Sequence, residues 1–423
     1  MTYNIVINII FLLISLQIFN KYKRLFFFFL PFLIQYVWMS FSLTVIENGV
    51  YISEQDRVGY FQYSNFYLLA FFILSFVSFT TGFNFASNKV KISVPKLKFY
   101  GKKNTWLNFA IAITALSLGL LNLFFSDNIY FDPNRGNWPN AVTKFNYWEK
   151  STFPFLKSII GNTIGFLPFI FGITIRLHRK KTIFFIILYL FYLIGIGQKF
   201  GPVLYAIISF MMSFYILDQN RNLIKKILNP FYLLIVGGFL FAIIYIKYSM
   251  ENPWDHLGYS VIESVFQRAF GLQSHLFWGT IDRYVVSPDL NLSWDLTEIN
   301  YGMHKLMRVF WPSPISWLEQ TIASGGSFTN AYPAILLTIF PTPLAFIVHF
   351  FFFFFVGIIA GLIYNLVSSR KYIWATIFFQ SYLWLIHAYT MSYFYKVYVV
   401  LLMLIFVSLV SFIFNKKRKD YIL

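Results

Sequence analysis

The chain has 423 residues, of which 58% are hydrophobic, 22% aromatic and only 12% charged, and it carries a formal net charge of +18 without a single cysteine. Soluble domains average about 25% charged residues, so this composition excludes a water-soluble globular protein and points to an all-α polytopic membrane protein. Without cysteine there is no disulfide framework, thiolate chemistry or Cys-ligated metal. The six histidines show no spacing of the H-E-x-x-H kind, so neither a metal nor a cofactor is expected.

Apolar runs near the roughly 20 residues that cross a bilayer follow one another along the chain. They are Asn4 to Phe19, Leu25 to Val45, Phe66 to Phe85, Thr105 to Ser126, Phe155 to Ile175, Thr182 to Gly197, Gly201 to Leu217, Pro230 to Ile246, Leu344 to Tyr364, Tyr372 to Thr390 and Val397 to Phe414. The expectation is about 11 transmembrane helices, or 12 if a re-entrant segment near Ala331 to Pro343 counts as a span. The first run lacks a basic leader and a small-residue cleavage site, so it reads as a retained span.

A charge of +18 could mean nucleic acid, but the placement of the basic residues decides for membrane topology, because short cytoplasmic loops retain Lys and Arg. One side of the layout receives Lys21, Lys23 and Arg24, the 89–103 and 176–181 lysines and arginines, Arg221, Lys225 and Lys226, Arg370 and Lys371, and the tail 416–419. Only Asp218 and Asp420 accompany them. This alternation predicts a cytoplasmic C-terminus, a periplasmic N-terminus and no nucleic-acid partner. It also predicts one integral domain, 1–423, capped by a large periplasmic loop, 247–343, between the eighth and ninth spans.

The outer loops hold the chemistry. In the large one, Ser260 and Glu263 have the spacing of a capping box. A helix continuing from there at about 100° per residue sets Arg268, His275 and Asp282 within roughly 40° of one line. The first outer loop contains E-Q-D-R, with Glu54, Asp56 and Arg57. A third loop is the short G-Q-K-F-G-P around Lys199, and the second, 127–154, contains Arg135. Cations fixed at the membrane face suit phosphate recognition, Arg as a bidentate fork and Lys as a point charge; the candidates are Arg268, Lys199, Arg283 and Arg308. Lys199 can equally snorkel to the interface, and Arg268 can equally pair with Glu263 or Asp282. His275 and His304 are the candidate bases, since imidazole accepts a proton near neutral pH. Glu54 and Asp56 are rival carboxylates that could instead only pair with Arg57. The run G-G-S-F-T-N-A-Y-P places Asn330 and Tyr332 on flexible backbone suited to close approach of an acceptor.

With its many spans, basic inner loops and dominant outer loop, and with I-E-N-G-V-Y, E-Q-D-R-V-G-Y, G-Q-K-F-G-P, V-F-Q-R-A-F-G-L-Q and G-G-S-F-T-N-A-Y-P, the chain resembles the bacterial O-antigen polymerases of the Wzy family. The resemblance implies polymerisation of undecaprenyl-pyrophosphate-linked repeat units by metal-independent glycosyl transfer at the periplasmic face of the inner membrane. Membrane lipid and a chain-length regulator protein are the implied partners. On that resemblance Arg268 and Lys199 would hold the donor pyrophosphate, and His304 or His275 would deprotonate the acceptor hydroxyl. Two other readings stand beside it. One is a GT-C-type glycosyltransferase using a polyprenyl-phosphate sugar and a first-loop carboxylate; the other is a flippase of lipid-linked oligosaccharide.

Overall fold

The computed structural model describes residues 2–89, 102–125, 165–176, 178–195, 200–217, 258–300, 302–311 and 330–420, with a few isolated positions between 237 and 255 and between 316 and 322. Among the described residues there are 14 α-helices and a single two-stranded hairpin. The chain is an all-α membrane protein. Among the described residues five helices are long and apolar enough to cross a bilayer: α1 (Thr2–Lys21), α2 (Lys23–Ile46), α3 (Ser64–Lys89), α4 (Lys102–Phe125) and α12 (Thr342–Ser368). Their outward residues fit that medium. Leu13, Leu16, Phe124 and Phe351 are all more than half exposed, which water would penalise and hydrocarbon accepts.

Among the described residues the bundle also contains α5 (Leu167–Thr174), α6 (Arg179–Gly195), α7 (Phe200–Leu217), α13 (Tyr372–Met391) and α14 (Tyr395–Asp420). The closest pair is α3 with α12. It is set by glycine, for a Cβ at Gly357 would meet the Phe79 carbonyl oxygen at 2.2 Å, one at Gly361 the Phe83 oxygen at 2.6 Å, and one at Gly82 the Phe354 oxygen at 2.1 Å. The small-xxx-small pattern of Gly357 and Gly361 lets the two backbones touch where lipid supplies no hydrophobic drive between helices. The same residues show that α3 and α12 run parallel, so Lys89 and the Arg370–Lys371 turn lie at one end together with Lys21, Lys23 and Arg24 at the α1–α2 turn. We call this the basic end.

The opposite, loop end is built around Glu47, a buried carboxylate just past α2. It accepts hydrogen bonds from the Asn4 side chain (2.8 Å), the Ser64 backbone N–H (2.8 Å) and the Tyr3 hydroxyl. Three helix ends are thereby fixed to one residue, and its burial is tolerable because these donors point at it. From there the chain enters the hairpin β1 (Tyr51–Ile52) and β2 (Arg57–Val58), with Ile52 opposite Arg57. The intervening turn places Asp56 at φ 47°, a left-handed conformation that Asp tolerates better than most side chains.

The segment expected as one helix from Ser260 is five pieces. The capping box is present: the Ser260 hydroxyl accepts from the Glu263 N–H and the Glu263 carboxylate from the Ser260 N–H. α8 (Val261–Phe266) then widens into a π-helical turn (Gln267–Gly271) and breaks at 272–274; α9 (His275–Thr280) follows and widens again over Ile281–Val286. A further 3-10 turn, Leu296–Asn300, precedes α10 (Met303–Phe310). Tyr332 then leads into the fully buried α11 (Ala334–Ile339) before α12.

Candidate functional site

The first loop and the 261–286 segment close on each other at the loop end, and the seven-residue stripe survives the broken helix. Glu54 sits at the turn of the hairpin. Its Oε1 lies 3.3 Å from an Arg268 guanidinium nitrogen, and its Oε2 lies 3.0 Å from His275 Nε2. The third member of the stripe, Asp282, is 2.9 Å from Arg57, whose guanidinium also lies over the Trp278 ring at 5.1 Å. Arg268, His275 and Asp282 therefore all face the first loop, and Arg268 pairs with Glu54, not with Glu263 or Asp282.

Two amide side chains and an indole lock the two segments together. Gln55 donates to the His275 carbonyl oxygen (2.9 Å), Gln267 to the Tyr51 oxygen (2.7 Å) and Trp278 to the Phe61 oxygen (3.0 Å). Trp38 of α2 donates to the Ala269 oxygen at 2.6 Å, which ties the π turn carrying Arg268 to the bundle. Gln273 donates to the Arg268 oxygen, and Asn330 in turn donates to the Gln273 oxygen.

The environments of the three groups differ. Arg268 is 33% exposed and Glu54 17%, whereas His275 is fully enclosed. The His275 Nδ1 lies 2.9 Å from the Leu272 carbonyl oxygen, an acceptor only, so this nitrogen carries a proton. Its Nε2 faces the Glu54 carboxylate oxygen. That contact is close in distance without being an aligned hydrogen bond. His275 is thus placed to hold Glu54 from behind, while Glu54 and Arg268 reach the surface.

The remaining candidates are spread apart. His304, on α10, is half-buried with Nε2 3.3 Å from the Tyr393 hydroxyl. Burial lowers its pKa below the usual imidazole value, the Arg308 cation lowers it further, and Glu319 opposes. Arg308 is ion-paired with Glu319 at 3.0 Å and Arg283 with Asp289 at 3.3 Å. Asp56 is occupied by the Tyr51 hydroxyl, whose pKa is pushed up to about 12 chiefly by that bond. Tyr332 is buried and within 2.7 Å of His349 Nδ1, so it supports the bundle and offers no open loop surface. Lys199, Arg135 and residues 325–329 of the glycine-rich run lie outside the described residues.

His349, the weakest of the candidate bases because it lies in a run of phenylalanines, is enclosed, with Nε2 against the Ser75 hydroxyl (2.7 Å) and the Phe71 oxygen (3.0 Å). Sequence reading missed its structural role beside Tyr332. It also missed Gln55, Gln267 and Gln273, since amides carry no charge pattern. The G-x-x-x-G of Gly357 and Gly361 was a legible signal that went unread.

Residues 296–407, about a quarter of the chain, match a family described as of unknown function, DUF6418. No curated protein and no solved structure matches the chain. The matched stretch contains His304, Arg308, Asn330, Tyr332 and His349, and it stops short of Glu54, Arg268 and His275.

Proposed function

We propose that the chain polymerises polyprenyl-pyrophosphate-linked oligosaccharide repeat units by glycosyl transfer at the loop end of the bundle, taken as the periplasmic face of a bacterial inner membrane. The observation that supports this reading is the Glu54–Arg268–His275 cluster, an arginine at the surface oriented by a carboxylate that a buried imidazole holds from behind. In this reading eleven spans, alternating from an outer N-terminus, carry a periplasmic loop over residues 247–343.

Each group then has a task. Glu54 holds one side of the Arg268 guanidinium, which still has donors for the two oxygens of a phosphate. His304, kept neutral near pH 7 by its lowered pKa, takes the proton of the acceptor hydroxyl. The hydroxyl oxygen attacks the anomeric carbon, the bond from that carbon to the pyrophosphate oxygen breaks, and the leaving pyrophosphate carries its charge onto Arg268 and Lys199. Complementary fixed cations suffice for such a leaving group, so the reading calls for no metal. His275 is a positioning residue, because a fully enclosed ring does not reach an acceptor.

A second reading is favoured by one observation, that the Glu54 carboxylate reaches the surface while His275 does not. Glu54 would then be the base of a GT-C-type transferase. The two readings separate on Glu54→Gln and His304→Gln in a deletion host whose glycan is scored as a gel ladder. Polymerisation through His304 predicts that H304Q reduces the ladder to a single repeat unit and that E54Q retains some polymer. Complete loss in E54Q with a normal ladder in H304Q rejects it in favour of the carboxylate mechanism. Absence of any repeat unit on deletion would point instead to export of the lipid-linked precursor.

A further inference from the structure

At the basic end, α1, α2, α3, α7 and α12 enclose a cavity of about 630 Å³ that the reaction above does not use. Its rim carries Lys21, Lys23 and Arg24, and among the described residues no Asp or Glu lines it. Among the described residues none of these three cations forms an ion pair. The opposite wall presents the neutral polar side chains Asn84, Ser87 and Asn88 of α3, and the inner wall is apolar and aromatic, with Leu25, Phe83, Tyr215 and Tyr364. α2 starts here without a side-chain cap on its first N–H groups, so its positive end adds to the same field.

We propose that this cavity binds the phosphate group of an anionic phospholipid from the adjoining leaflet. Phosphate recognition follows from three clustered cations, without an ion pair among the described residues, next to amide donors, the pattern by which basic pockets between spans hold lipid headgroups. The lipid source follows from the walls. Leu25 and Phe83 make the cavity's inner wall apolar, so an amphiphile has a place for the start of its chains where a soluble phosphate has none. Orientation signalling alone would account for the lysines and arginine, but it does not require a cavity or a facing row of amides. The volume is of the size of small-molecule sites in general.

The test uses the full-length protein, delipidated in neutral detergent, with thermal unfolding as the readout. Short-chain phosphatidylglycerol, short-chain phosphatidylcholine and inorganic phosphate are titrated in parallel. Phosphatidylglycerol is expected to raise the midpoint saturably and phosphatidylcholine to leave it near its starting value. Neutralising Lys21, Lys23 and Arg24 to Gln should weaken the apparent affinity roughly five-fold per cation. Because those residues also orient the chain, a second variant keeps them all: Asn84→Asp with Asn88→Asp places carboxylates in the wall and should abolish the shift while leaving the unliganded midpoint in place. Equal shifts with both lipids, or wild-type affinity in the N84D/N88D variant, overturn the site. A shift with inorganic phosphate as large as with phosphatidylglycerol overturns the lipid assignment and transfers the cavity to soluble phosphate compounds.

Discussion

Replacing Glu54 by Ala removes the carboxylate from two partners in unequal surroundings, and the structure ranks the losses. Arg268 is one-third exposed at 3.3 Å, and such a pair contributes at most about 1 kcal/mol once water and side-chain entropy are counted. His275 is fully enclosed with Nδ1 committed to the Leu272 oxygen. Removing the carboxylate takes the facing polar group away from the enclosed Nε2, a loss of up to about 3 kcal/mol. Glu54→Gln is milder, about 1 kcal/mol, because the Gln side chain keeps a polar group of the same size beside Nε2. Double-mutant cycles by detergent-induced unfolding at pH 7 measure both couplings. That of Glu54 with His275 should be about 2–3 kcal/mol and that with Arg268 below about 1 kcal/mol. A larger coupling with Arg268, or an E54Q variant as unstable as E54A, would refute the assignment of His275 as the group that holds Glu54.

Three further outcomes follow from geometry. Gly357→Ala drives a methyl group onto the Phe79 carbonyl oxygen, and the overlap, about 1–3 kcal/mol, outweighs the roughly 1 kcal/mol helix-propensity gain; Gly238→Ala, with nothing within 4 Å, should show no loss in the same melt. Reversing the pair as Arg57→Asp with Asp282→Arg should recover most of the stability lost by either single change, since both charges are on the loop end at 2.9 Å; failure to recover would mean that Arg57 stabilises the loop mainly through its contact with the Trp278 ring. His304, whose pKa is lowered in the fold, binds fewer protons folded than unfolded as pH falls through about 6.5. Its contribution to activity and stability should therefore hold above that value and fade below it, and Arg308→Gln should move the acidic limb of the activity profile upward.

Architecture was legible because hydropathy and charge act along the chain: α1 to α4 and α12 lie where the apolar runs predict them, and the basic clusters at Lys21–Arg24, Lys89 and Arg370–Lys371 share one end. The capping box at Ser260 was legible for the same reason, being a three-residue local rule. The site was legible only in part. Glu54 and the Arg268–His275–Asp282 stripe were each marked out, but their meeting depends on contacts between positions more than 200 apart, such as Gln55 to His275 and Trp38 to Ala269. The hairpin that presents Glu54 was missed because two strands of two residues carry no periodicity. Tyr332 was misread as an open loop residue because its partner, His349, lies two turns into α12.

Glu47 has a bearing on how the chain enters the membrane. Its donors Tyr3, Asn4 and Ser64 all come from the first 64 residues, so a growing chain can satisfy this carboxylate as soon as the start of α3 emerges, before any later helix is made. The first three helices can then settle as an early unit onto which the others assemble.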